Sequence, residues 1–130
     1  MENWRRVWRE GLSPQFSVAG LRALERALAI DDPRLLQGTT CSPPLLDVWR
    51  KRRVCGACAL AWAGWQAEKL ATVGQVEAYF HRLCDAADAA LDEPAACRFF
   101  LNWYDETPRA DMRRALLAEV RRALCVPLAA

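Results

Sequence analysis

Twelve consecutive residues, Val54 to Trp65, carry no charged side chain and nothing more polar than a thiol or an indole N–H. A bilayer span needs about 18 such residues, so this run is too short to cross a membrane. The rest of the chain must cover it. A helix that is apolar on all sides belongs at the middle of a fold. Gly56, Gly64 and the alanines between them would let neighbouring helices approach closely. The run is therefore expected to be the rear half of a helix from about Asp47 to Gln66, central in the molecule.

The flanking sequence repeats at helical spacing. Trp4, Val7 and Trp8 define one face of a segment from Glu2 to Glu10, with Gly11 as its stop. Ser17 is a good N-cap for the stripe Val18, Leu21, Leu24 and Leu28. Asp31-Asp32-Pro33 ends that stripe and can begin a short helical turn anchored by Leu35 and Leu36. Gly38 to Pro44 reads as a surface loop.

Thr72-Val73-Gly74-Gln75 fits a capping box, followed by Val76, Phe80, Leu83, Ala87 and Leu91 on one face. Asp92 is expected to cap an aromatic helix holding Phe99, Phe100, Trp103 and Tyr104. Thr107 and Pro108 start the last helix, with Met112, Leu116, Val120 and Leu124 inward and Arg113, Arg114, Arg121 and Arg122 outward. Good helix formers abound, isoleucine occurs once, and clean apolar/polar alternation is missing. The expected fold is all-α: a compact single-domain bundle of five main helices plus one short helix over residues 1–130, frayed at 1–2 and 126–130.

The 18 Lys and Arg against 16 Asp and Glu leave a net charge of +2, too balanced for a dedicated nucleic-acid binder. Sixteen of the 18 cations are arginine, which with the many alanines suggests a GC-rich bacterial gene. The N-terminus lacks the apolar stretch of a signal peptide. A cytoplasmic location with reduced thiols is therefore expected for the six cysteines.

Cys55 and Cys58, with His81 and Cys84, offer two pairs of zinc-type ligands equidistant from the connection Ala67–Thr72. Against a metal, Cys55, Cys58, Trp62 and Trp65 follow an ordinary core stripe, and His81 falls off the apolar face of its helix. Buried structural cysteines and no metal are the expectation. The bare C-x-x-C pattern gains redox meaning only between a strand and a helix, and no strand is expected here. His81 and Cys84 lack an accompanying oxyanion site, and no phosphate-binding loop occurs. The carboxylates Asp85, Asp88, Asp92, Glu93, Asp105 and Glu106 read as a solvated face and helix caps. An enzyme is not expected, nor any cofactor.

The densest positive charge is Trp49-Arg50-Lys51-Arg52-Arg53. Trp and Arg dominate interface hot spots, and Trp4-Arg5 repeats the pairing. The expected function is a non-enzymatic interaction module, a protein-binding adaptor or regulator that uses these seven residues. The first alternative is nucleic-acid binding through Arg50–Arg53 together with Arg113, Arg114, Arg121 and Arg122. The second is a zinc-stabilised domain. One local conflict stands out. If Arg50–Arg53 opened the central helix, four cations would oppose its dipole. Of the tryptophans, Trp62, Trp65 and Trp103 are expected in the core, while Trp4, Trp8 and Trp49 are less firmly placed.

Overall fold

A computed structural model describes residues 1–125. The chain enters through α1, Asn3–Arg6, which runs unbroken into a π-helical segment, Val7–Leu12. A short 3-10 turn, Ser13–Gln15, leads to α2, Val18–Ile30. Two short strands follow, β1 (Cys41–Ser42) and β2 (Gly56–Ala57), then α3, Ala59–Gln66. The remainder is α4, Val73–Leu91, α5, Cys97–Glu106, and α6, Arg109–Cys125. The fold is predominantly helical, as the periodicity requires, with a two-stranded sheet as its only sheet among the described residues.

Several caps form as the sequence dictates. Ser17 Oγ accepts the Gly20 N–H at 3.0 Å. Thr72 and Gln75 make the reciprocal capping box, with Gln75 N–H to Thr72 Oγ1 at 3.3 Å and Thr72 N–H to Gln75 Oε1 at 3.2 Å. Asp31 ends α2 in the left-handed conformation at φ 53°.

The central segment differs from expectation. Residues 47–58 are not helical as a whole: Asp47–Trp49 is one 3-10 turn, and Val54 to Cys58 is extended. Cys41 pairs with Ala57 and Ser42 with Gly56, antiparallel, while Leu35 bridges Ala57 from the other side. The backbone accounts for this. Ala57 N–H reaches Arg34 O at 2.9 Å and Leu36 N–H reaches Ala57 O at 2.8 Å. Cys58 N–H reaches Thr40 O at 2.8 Å and Cys55 N–H reaches Ser42 O at 2.7 Å. Gly56 and Ala57 are both buried, and a Cβ on Gly56 would lie 3.0 Å from Arg34 O. Small residues fill a slot between two chains, and burial on both faces produces the same unbroken apolar run that a central helix would. The helix begins only at Ala59, so Arg50–Arg53 never oppose its dipole.

Other boundaries also move. Asp32–Leu36 forms turns and a bridge, not a helix. Asp92 terminates α4 in the left-handed conformation, and α5 begins at Cys97, whose N–H is accepted by Asp88 Oδ1 at 3.0 Å. Gly11 does not stop its helix. It lies inside the π-helical segment, where an added Cβ would come within 2.7 Å of Leu91 Cδ1 and 3.3 Å of Ala87 O. Its role is to let α4 approach. Glu2 is engaged: its carbonyl accepts Arg5 and Arg6 N–H, and its carboxylate accepts Trp4 Nε1–H at 2.9 Å. The C-terminal stretch 126–130, expected to fray, lies outside the described residues.

Buried side chains form one continuous cluster. Its largest members are Trp8, Tyr104 and Phe100. Trp8 and Phe100 rings lie 5.7 Å apart, and Phe100 and Tyr104 5.9 Å. Tyr104 Oη donates to Leu36 O at 2.5 Å, tying α5 to the strand layer. Trp4 and Trp8 are thus fully interior, whereas Trp65 and Trp103 sit half-buried at the edge.

Candidate functional site

Two exposed apolar side chains lie beside the densest run of positive charge, between β1 and β2, on the loop of residues 43–55. Val48 is 82% exposed and Leu46 50%. Trp49 is half-buried beside them. The 3-10 turn Asp47–Trp49 holds this tip, with Trp49 N–H to Leu46 O at 2.8 Å and Arg52 N–H to Trp49 O at 3.0 Å. Leu45 packs back against the core.

The base of the loop is fixed by the first turn of α4. Free N–H groups at a helix start need acceptors. Here Val73 N–H takes Arg52 O at 2.8 Å and Gly74 N–H takes Arg50 O at 2.9 Å. Val54 N–H to Ala71 O at 2.9 Å continues the same seam. Hence the side chains of Arg50, Lys51, Arg52 and Arg53 project from an anchored backbone, and all four residues are exposed. Arg50 approaches Asp47 at 3.8 Å, and Arg52 lies 5.9 Å from the Trp49 ring. Lys51, Arg52 and Arg53 make no ion pair among the described residues. Five of the seven expected binding residues therefore share one surface.

Trp4 and Arg5 do not join them. Trp4 is 4% exposed and stacks on Trp103, with centroids 3.6 Å apart and planes within 3°. Arg5 Nη1 donates to Glu119 Oε2 at 2.9 Å. Both residues hold α1 to the bundle. The arginines of α6 are also largely committed. Arg113 donates to the carbonyls of Leu28 and Ala29 at 3.0 and 3.3 Å, capping the end of α2. Arg121 meets Glu25 at 3.3 Å, and Arg114 pairs with Asp111. Arg109 adds Asp31 Oδ1 at 2.8 Å and Leu35 O at 2.9 Å. The contacts of Arg113 and Arg121 stitch α6 to α2, those of Arg109 join it to the segment just after α2, and the Arg114–Asp111 pair lies within α6.

The four suspected zinc ligands are scattered. Cys55 is exposed, Cys58 is buried before α3, and Cys84 is half-buried. The His81 side chain is 66% exposed, with Nε2 3.9 Å from Glu77 Oε2. The symmetrical spacing lost its meaning once Val54–Cys58 became extended. Among the described residues, no three His, Cys, Asp or Glu side chains come together to hold a metal. Burial pushes the Cys58 thiol up to about 12. Burial, with Glu77 beside it, pushes Cys41 up to about 12 as well. The Cys97 thiol is raised by its contact with Cys84 and by burial. Such thiols stay protonated near neutrality and are weak nucleophiles.

Sequence reasoning missed Leu46 and Val48. Their signal was available: Pro43-Pro44 breaks the chain, and Leu45-Leu46-Asp47-Val48 does not continue a helical stripe into the basic run. No helix among the described residues is long and apolar enough to cross a membrane. No family model matches this chain, and comparison with curated proteins and with solved structures finds no match.

Proposed function

We propose that the protein is a non-enzymatic interaction module that docks on an acidic partner protein through the loop of residues 46–53. The observation that carries this reading is the exposure of Leu46 and Val48 on an anchored loop beside three cations that have no ion-pair partner among the described residues. Each aliphatic side chain gains about 1.5–3 kcal/mol when fully buried. A partner with a shallow apolar depression rimmed by carboxylates matches both features. The anchored base lowers the ordering cost of binding. The cations set orientation and speed encounter.

The test places a photo-crosslinking amino acid at Val48 and, as control, at exposed Ala118 on α6, in the native cell. One acidic protein is expected to cross-link from position 48 and not from 118, and to be lost when Arg50, Arg52 and Arg53 are replaced by Glu. Failure to cross-link at 48 overturns the reading. A salt-dependent gel shift of DNA or RNA, abolished by the same charge reversal, would replace it with nucleic-acid binding.

A further inference from the structure

Away from the loop, the α2–α3 face carries a groove of about 500 Å³ lined by Arg22, Arg26, Ile30, Arg34, Trp62 and Gln66, with Ala23, Ala27 and Asp32 completing the wall. That volume is in the range of small-molecule sites. We propose that this groove binds a small amphiphilic anion, an apolar body ending in a carboxylate, sulfonate or phosphate. The site is independent of the docking loop.

Charge gives the sign of the ligand. Three guanidinium groups line the groove against one carboxylate, Asp32, and both oxygens of that carboxylate are already taken by Arg34 at 3.1 and 2.8 Å. Arg22 makes only a 3.4 Å contact, to Glu25, which also receives Arg121. Arg26 is exposed and makes no ion pair among the described residues.

Arg34 is a prepared receptor. Its guanidinium lies 5.6 Å from the Trp62 ring and 5.3 Å from the Trp65 ring. Asp32 fixes it from one edge and also accepts the Arg34 N–H at 2.9 Å. Nevertheless 52% of the Arg34 side chain remains exposed. Trp62 is itself locked by Nε1–H to Ala23 O at 3.2 Å. Asp32 takes Nε and Nη2 of Arg34, so the remaining Nη1 side of a guanidinium already held in place is what an anion would meet, at little further loss of freedom.

The rest of the groove gives the ligand its body. Its apolar wall is the partly exposed Ala23 and Ile30, which stands 63% exposed at the rim, while Ala27 and Trp62, 2% and 3% exposed, lie beneath as its floor. An inorganic ion would leave this wall uncovered.

The probe is 8-anilinonaphthalene-1-sulfonate, with the uncharged N-phenyl-1-naphthylamine as its partner, titrated by fluorescence and calorimetry against the intact protein. One saturable site for the sulfonate is expected. The double substitution R22E/R26E should weaken it by roughly tenfold or more, since it reverses two of the three lining charges. L46S/V48S should leave it unchanged. Both variants change exposed side chains, and circular dichroism checks their folding. No saturable binding, equal binding of the uncharged probe, insensitivity to R22E/R26E, or loss on L46S/V48S would each overturn the assignment.

Discussion

Arg9 grips the buried carboxylate of Glu119 through both oxygens, Nε to Oε1 at 2.8 Å and Nη2 to Oε2 at 2.9 Å. Arg5 adds a third contact at 2.9 Å, so two cations from the N-terminal helix converge on one acid of α6. The Glu119 side chain is 4% exposed, and the arginines are about 30%. Replacing Glu119 by Gln leaves both guanidinium groups without their charge partner. It is expected to lower the unfolding free energy at pH 7 by about 1–3 kcal/mol in urea titrations.

The same clamp sets an acid limit. The hydrogen bond from Arg9 holds the Glu119 carboxyl below its ordinary value of 4.5. Asp31 and Asp32 are held down likewise by Arg109 and Arg34. The folded state therefore resists protonation of these groups more than the unfolded chain does. Their contribution is complete above the ordinary carboxylate range and disappears as pH falls through the lowered folded values. The urea midpoint of the wild type should fall steeply below about pH 4.5. E119Q should start lower, fall less, and approach the wild type in acid. Parallel curves would disprove the linkage.

Gly11 offers a test with a definite sign. Inside a helix, Gly to Ala ordinarily stabilises by about 1 kcal/mol. Here the new Cβ would meet Leu91 Cδ1 at 2.7 Å and Ala87 O at 3.3 Å. Leu91 can rotate away, but the carbonyl belongs to the backbone of α4. Gly11→Ala is expected to destabilise by about 1–3 kcal/mol through this overpacking. Stabilisation would mean that the glycine is only a weak helix residue.

Thiol accessibility separates the cysteines. Cys55 and Cys125 are exposed, whereas Cys41, Cys58 and Cys97 are buried. Iodoacetamide at mildly alkaline pH should modify the exposed pair first, and peptide mass mapping should find the buried three untouched until denaturant is added.

The helical class, the capping box at Thr72 and the cap at Ser17 were legible because local chemistry decides them. The strand layer was not. Cys55–Cys58 is paired with chain segments at positions 34–36 and 40–42, a tertiary arrangement that periodicity does not encode. One clue was present: four cations at the front of the supposed helix conflicted with its dipole, and the structure removes the conflict by starting the helix at Ala59. The proposed binding surface was half legible. Arg50–Arg53 stood out by density, but Trp4 and Arg5 resembled them in composition while being held by Trp103 and Glu119, residues about a hundred positions away.

The proposed docking role of the 46–53 loop can be separated from the fold by substitution at its tip. Val48 is 82% exposed, so its methyl groups contribute almost nothing to the folded core. V48D should leave unfolding stability within about 0.5 kcal/mol of the wild type. It places a carboxylate beside Asp47 and opposite any acidic rim, and it removes the apolar tip. Cross-linking from a probe at neighbouring Leu46 should then fall to background. Retained stability with lost cross-linking assigns the side chain to recognition. Full cross-linking in V48D would remove the tip from the interface, and a large loss of stability would show that the loop serves the fold.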